Sequence, residues 1–367
     1  VDADGILCDL LGKINWRQLA VEVPGAGSDF LAVTPLRLVF FGSDAIALPL
    51  LDRLAGEGNA LAQVVAVFTQ PDRPSGRGQK TAANAIKCWA LARALPIFQP
   101  EKPDETVRDQ LAALNADIGL VMAYGHLLRD DFIATPRLGM LNLHTSLLPK
   151  YRGASPIQTA IASGERETGV TLMRIIRKLD AGPIADAGRV SILARDTAAD
   201  IETKLAAACW PLLARTLPKL CDETFALAPQ DETQASYCRR LTKDDGVLDF
   251  AAPAAVLAAR INGLFPWPGC AVEISGQPVK LGLADFEAAM APAGAGTVLG
   301  ADAESLRVAA GPGILRLLRL QRPGGKMLPA PEFLRGFSVA PGTVLTSRPM
   351  PELLEHRTSN IQRPTLN

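Results

Sequence analysis

The chain has 367 residues, 48% of them apolar, and its 38 basic and 38 acidic side chains cancel. That length predicts two or more domains with a sizeable core, and the charge balance excludes a polybasic, histone-like chain while leaving room for a local basic groove. Six cysteines without paired spacing fit neither a zinc site nor a disulfide framework, no apolar run reaches the roughly 18 residues that span a bilayer, and residues 1–34 lack the pattern of a signal peptide, so a cytoplasmic protein is expected.

Residues 36–41 (LRLVFF) form an apolar run ending at Gly42, followed by a helical pattern over 45–54. A second run, 64–69 (VVAVFT), leads into the loop 71–80 (PDRPSGRGQK). A helix over 82–94, a short strand at 96–98 and a helix over 105–114 come next. Residues 118–124 (IGLVMAY) and 140–144 (MLNLH) read as buried strands, and 170–176 and 184–192 extend the sheet. A long amphipathic helix covers 196–217. Continuous apolar strands alternating with helices predict an α/β fold, a mostly parallel sheet covered on both faces.

Composition then shifts. Residues 222–240 are polar and irregular, a candidate linker. From 241 onward short strands are punctuated by turn signals at 266–269 (PWPG), 275–278 (SGQP), 311–313 (GPG) and 322–325 (RPGG), after a helix over 253–262. That spacing predicts a small β-barrel or sandwich. Residues 346–367 show no periodicity, and with 1–34 they read as appendages.

The first strand–helix turn carries Gly42 but not the second and third glycines of a dinucleotide fingerprint, which argues against a nucleotide-binding site there. Asn142 and His144, two apart on a strand, project to the same side at its carboxyl end, where open α/β sheets bind ligands. A lone strand histidine is usually a satisfied core residue. Beside an amide it becomes a candidate proton relay, with Asn142 able to donate to a developing oxyanion. Asp180 sits in a Gly- and Pro-marked loop; an Asp there is usually a turn former, and spacing alone does not single it out. Arg73, Arg77 and Lys80 in the 71–80 loop are either a solvated surface or a basic finger for phosphates. Arg307, Arg316, Arg319, Arg322, Lys326 and Arg335 form a second basic tract, either an ordinary surface or a track for a nucleic-acid backbone.

The stretch 142–158 (NLHTSLLPKYRGASPIQ), with the later LDAGPI around Asp180, resembles the signature of the folate-dependent formyltransferases. Supporting stretches are VFTQPDRPSGRGQK (67–80), AYGHLL (123–128), YCRRLTKDDGVLDF (237–250) and FPWPGCAVEISGQPVKL (265–281). The resemblance runs in order from about residue 36 to 345. It implies a Rossmann-like catalytic domain over 35–221, a linker at 222–240 and an OB-like barrel over 241–345 that binds tRNA. It implies formyl transfer from 10-formyltetrahydrofolate, without a metal, to the α-amine of methionine esterified to initiator tRNA, by amine attack through a tetrahedral intermediate. Carried onto this chain, Asn142, His144 and Asp180 are the catalytic trio. Ser146, Leu147, Leu148 and Pro149 contact the folate, and Arg73, Arg77 and Lys80 reach the tRNA. Competing readings are a folate enzyme acting on a small amine, and a non-catalytic RNA- or folate-binding protein. The barrel and the Arg/Gly loop weigh against the first, the intact trio against the second.

Overall fold

The computed structural model describes residues 34–75, 80–220 and 225–355. The described residues from Pro35 onward form one compact unit. Its first half is a seven-stranded sheet of order β10-β9-β7-β6-β1-β2-β5. The strands are β1 (Leu36–Phe41), β2 (Ala62–Phe68), β5 (Ile97–Phe98), β6 (Ile118–Val121), β7 (Met140–His144), β9 (Glu167–Arg174) and β10 (Ile184–Ser191). The five from β5 to β7 in that order are parallel, β9 runs antiparallel to β7, and β10 antiparallel to β9.

Period-two alternation builds both cores. On β1, Leu38 and Phe40 enter the cluster under α1 (Leu48–Ala55) and α6 (Ala198–Leu220), while Val39 and Phe41 enter the opposite one. The second cluster is aromatic: Phe68 stacks on Phe41 at 4.8 Å and on Phe98 at 4.6 Å. Helix α6 buries Ile201, Leu205, Leu212 and Leu213, and Thr197 and Asp200 bond reciprocally at its start. Helix α2 (Ala85–Leu91) is capped by Asn84, whose side chain accepts from the Lys87 amide at 3.0 Å. Helix α3 (Glu105–Ala113) and the short α4 (Asp130–Ile133) complete the cover.

The second half is an antiparallel half-barrel consistent with an OB-like domain. Its strands are β12 (Cys270–Ile274), β13 (Gln277–Glu287), β14 (Val298–Ala301), β15 (Leu306–Ala309) and β16 (Ile314–Gln321), in the order β12-β13-β16-β15-β14, with β17 (Leu328–Pro329) also on β16. Helix α7 (Ala254–Leu264) plugs it with Leu257, Ile261 and Leu264, and Asn262 bonds both backbone groups of Ala284 at 2.9 Å. Helix α8 (Ala330–Gly336) adds Phe333 to the same core. Among the described residues no helix is long and apolar enough to cross a membrane.

Three segments differ from their sequence reading. Part of the 71–80 loop is a hairpin, β3 (Arg73–Ser75) against β4 (Lys80–Ala82). Residues 156–162, to which no element was assigned from sequence, form helix α5 (Pro156–Ala162), with Pro156 in the first turn where its missing N–H costs nothing. Residues 346–355, read as part of an appendage, are packed. Ser347 Oγ accepts from Phe250 N, Leu353 is buried, and β18 (Leu354–Glu355) pairs with β11 (Tyr237–Cys238).

Helix α7 touches α5 through Gly263. A Cβ there would lie 2.6 Å from Ala162 N and 2.8 Å from Gln158 O, both atoms of the α5 backbone. Gly263→Ala must therefore push the two helices apart. We expect a destabilisation of about 1–3 kcal/mol, typical of overpacking, read as a lower urea midpoint at unchanged slope. An unchanged midpoint would mean that the contact is not tight.

Candidate active site

Strand β7 points Leu141 and Leu143 into one core, so Asn142 and His144 face the other side of the sheet. Asn142 lies beside Val121 of β6 and Met173 of β9, and His144 beside Thr171. Asn142 is half-buried, and among the described residues its amide has no hydrogen-bond partner. It is a donor and acceptor held ready near the carboxyl end of an interior strand.

His144 is 7% exposed, and its Nε2–H donates to the Tyr151 carbonyl at 2.9 Å. A carbonyl only accepts, so this bond fixes the tautomer. The neutral ring keeps its lone pair on Nδ1, which lies 3.8 Å from Asp180 Oδ2. That gap is too long for a hydrogen bond and short enough for an ion pair once Nδ1 takes a proton. The Asp180 carboxylate is aimed by the Gly153 amide, which donates to Oδ2 at 2.8 Å. Asp180 itself has φ +49°, in the left-handed region.

The turn after His144 closes on itself. Ser146 is fully buried and its hydroxyl donates to Lys150 O at 2.6 Å. Thr171 Oγ1 donates to Ser146 O at 2.7 Å and accepts from Leu148 N at 3.1 Å. Leu147 and Pro149 stay half-buried on its outer side.

Residues 151–153 then do three things at once. Tyr151 O holds His144, Gly153 N holds Asp180, and Arg152 reaches into the segment that follows α6. Strand β8 (Arg152–Gly153) pairs in parallel with β11. A Cβ on Gly153 would sit 2.3 Å from Cys238 O, so glycine is what lets the two strands approach. Arg152 has no exposed surface. Its N–H groups bond Gln230 Oε1 (3.1 and 2.7 Å), Glu232 (3.1 and 3.0 Å) and Tyr237 Oη (2.9 Å). Glu232 also takes Lys178 at 2.7 Å. Arg152 first, then Lys178, pulls the Glu232 carboxyl down to about 2.

Asn142, His144 and Asp180 thus converge at the carboxyl end of β7, with Ser146, Leu147, Leu148 and Pro149 in the adjoining turn. Arg73 is exposed on the hairpin, 3.6 Å from Glu101. Arg77 lies outside the described residues, as does the side chain of Lys80. Sequence reasoning gave no role to Arg152, Gln230, Glu232 or Tyr237. Their partners lie about eighty residues away in sequence, so no local pattern marks them.

The basic tract of the half-barrel divides in two. Arg316 is surrounded by Asp285, Glu287, Asp302 and Glu304 at 3.3–3.5 Å, and Arg307 pairs with Glu287 at 3.0 Å. Arg195, from the loop after β10, joins Asp285 and Glu304 in that network. Arg319, Arg322, Lys326 and Arg335 are exposed without a carboxylate partner among the described residues.

Comparison with known proteins shows the family. The chain matches the Formyl transferase family over residues 36–217 and its C-terminal domain over 240–338. It is 40% identical over 314 residues to a methionyl-tRNA formyltransferase of Ectopseudomonas mendocina, covering 84% of this chain and 98% of that one. It is likewise 40% identical to one of Burkholderia thailandensis, covering 84% and 96%. Among solved structures it resembles an N-formyltransferase from Helicobacter canadensis in complex with folinic acid and dTDP-3-aminofucose (TM-score 0.57, 18% identity, 77% of this chain and 99% of that one). It also resembles HypX from Aquifex aeolicus in complex with tetrahydrofolic acid (TM-score 0.54, 16% identity, 85% and 51%).

The Glu232 contacts carry a pH signature. Its carboxyl sits below the ordinary value of 4.5 because the ionised form is held by cations. The stability it contributes is complete above that ordinary value and fades as pH falls toward about 2. Glu232 is half exposed, so solvent screens the effect and it should be modest. Glu232→Gln should flatten the acid arm of a melting-temperature–pH profile. Parallel profiles for the two proteins would contradict the assignment.

Proposed function

Because the chain belongs to the formyl transferase family, alongside the methionyl-tRNA formyltransferases, we propose that it formylates the α-amine of methionine carried on initiator tRNA, using 10-formyltetrahydrofolate, in the cytoplasm. The observation that carries this reading is the unpartnered Asn142 amide beside a tautomer-fixed His144 and an aimed Asp180. It suits a donor with a polarised formyl oxygen, because nothing among the described residues answers that amide. The folate supplies the formyl carbon and takes one proton at the nitrogen it leaves behind.

The residues divide the work. Asn142 donates to the formyl oxygen as negative charge develops there. His144 works through Nδ1, since Nε2 is committed to Tyr151. Neutral, Nδ1 accepts the proton that the attacking amine must lose; protonated, it gives that proton to the folate nitrogen as the C–N bond to the formyl carbon breaks, and one proton moves in all. Asp180 is the counter-charge that makes the protonated ring affordable. A free α-amine has a pKa of about 8, so a local base near neutrality suffices to keep it reactive. Leu147 and Pro149 offer the turn's apolar outer side to the folate. The buried Ser146 hydroxyl acts within the turn, shaping it through Lys150.

Asn142→Ala should lower turnover about 100- to 1000-fold, the usual effect of losing an oxyanion donor. His144→Ala and Asp180→Ala should also be severe. The assay is formyl transfer to methionyl-tRNA, with free methionine and uncharged tRNA as controls. Near-wild-type turnover in all three folded variants, or equal use of free methionine, would refute the reading.

The tRNA is expected on basic side chains: Arg73, Arg77 and Lys80 of the 71–80 loop, and Arg319, Arg322, Lys326 and Arg335 of the half-barrel. Phosphate contacts position without reading sequence and release counterions. Arg319→Ala should weaken tRNA binding and reduce its log–log salt slope by about 1. Arg316→Ala should leave that slope unchanged, since its charge is already neutralised. A reversed pattern in salt titrations would move the RNA to the acidic network.

A further inference from the structure

We propose that Gln230, in the segment between the two halves of the chain, is a positioning residue that sets Asp180 for the reaction, locked in its orientation by the buried Arg152. This rests on Asp180 being catalytic, as proposed above. Asp180 needs such help. Its backbone is in the left-handed region, uncommon for a residue other than glycine though better tolerated by Asp than by most, and it lies in a Gly- and Pro-marked loop, so its position depends on what holds that loop. The Gln230 Nε2 group donates to Asp180 O at 2.9 Å and to Gly182 O at 2.7 Å. One amide therefore clamps the loop backbone on both sides of Ala181.

The clamp cannot turn over. Gln230 Oε1 faces Arg152 Nε at 3.1 Å and Nη2 at 2.7 Å, and a guanidinium only donates. Flipping the amide would set N–H groups against N–H groups on one side and an oxygen against two carbonyls on the other. Arg152 in turn has every N–H engaged and no exposed surface, so it cannot drift. The Gly153 amide that holds the Asp180 carboxylate belongs to the same strand. Backbone and carboxylate of Asp180 are thus both referenced to residues 152–153, which also fixes the 3.8 Å gap to His144.

The test compares Gln230→Ala and Gln230→Glu, each alone and combined with Asp180→Asn, in formyl transfer from 10-formyltetrahydrofolate to methionyl-tRNA. Misplacing a catalytic group by about 1 Å costs on the order of 100-fold. Gln230→Ala should lower kcat roughly 10- to 100-fold while both KM values stay within about twofold. Gln230→Glu keeps the size of the side chain and its pairing with Arg152, but turns a carboxylate toward two carbonyls. It should fold with a melting temperature near wild type and lose at least as much kcat, which keeps the test open if the alanine variant unfolds. In the Asp180→Asn background either change should cost less than about twofold, because the group being positioned has gone. Unchanged kcat in Gln230→Glu, a loss confined to KM, or an equal loss in both backgrounds would overturn the proposal while leaving the catalytic reading of Asp180 in place. Near-wild-type turnover of Asp180→Asn alone would instead remove that reading, and this one with it.

Discussion

A guanidinium with no exposed surface is the constraint around which this site is organised. An isolated buried charge is not tolerated, and it persists only if it is paired and every N–H finds an acceptor. Arg152 meets both conditions with three residues, Gln230, Glu232 and Tyr237. None is near it in sequence. The segment from 230 to 238 is therefore not free to wander between two halves; it is where a buried cation finds its counter-charge. Breaking the arrangement leaves an uncompensated charge next to His144 and Asp180, so stability and geometry are protected by the same contacts.

That requirement propagates in both directions. Toward the catalytic side, residues 151–153 must lie flat against 237–238, which brings Tyr151 O to His144 and Gly153 N to Asp180. Toward the half-barrel, β11 carries β18 on its other edge, so the chain near its end is tied to the strand beside the site. A further cluster follows: Asp245 is fully buried and held by Arg239, while Arg260 of α7 donates to Asp245 O and Pro351 O. With Gly263 pressed on α5, the half-barrel is docked on the helix that continues from the site turn. Any motion of the half-barrel would be felt at residues 145–156.

The sheet and the Asn142–His144 pair were legible because both are local. Period two puts those side chains on one face whatever their surroundings, and apolar runs of four to seven residues announce buried strands. Asp180 was not legible from spacing. It reaches the site through an irregular loop, and only the resemblance to a family pointed to it. Arg152 and Gln230 could not be read at all, because their meaning lies in contacts across some eighty residues, which no periodicity encodes. The two parts of the basic tract could not be told apart for the same reason. Arg307 and Arg316 look like Arg319 in sequence, but cross-strand and loop carboxylates at 285, 287, 302 and 304 surround them. Residues 346–355 read as an appendage since two-residue strands leave no pattern.

The tautomer of His144 ties these levels together. A histidine that is free to rotate or exchange its proton between nitrogens presents either one to a reactant. Here Tyr151, itself held at φ +59° and bonded through its amide to Ser236 Oγ, takes Nε2–H and leaves only Nδ1 on the Asp180 side. The direction in which a proton can move is thus decided by a backbone carbonyl, and that carbonyl stays in place because the next residue is the buried arginine. The proton path proposed for His144 is a consequence of how a charge was accommodated in the fold, one residue away from the carbonyl that orients the ring.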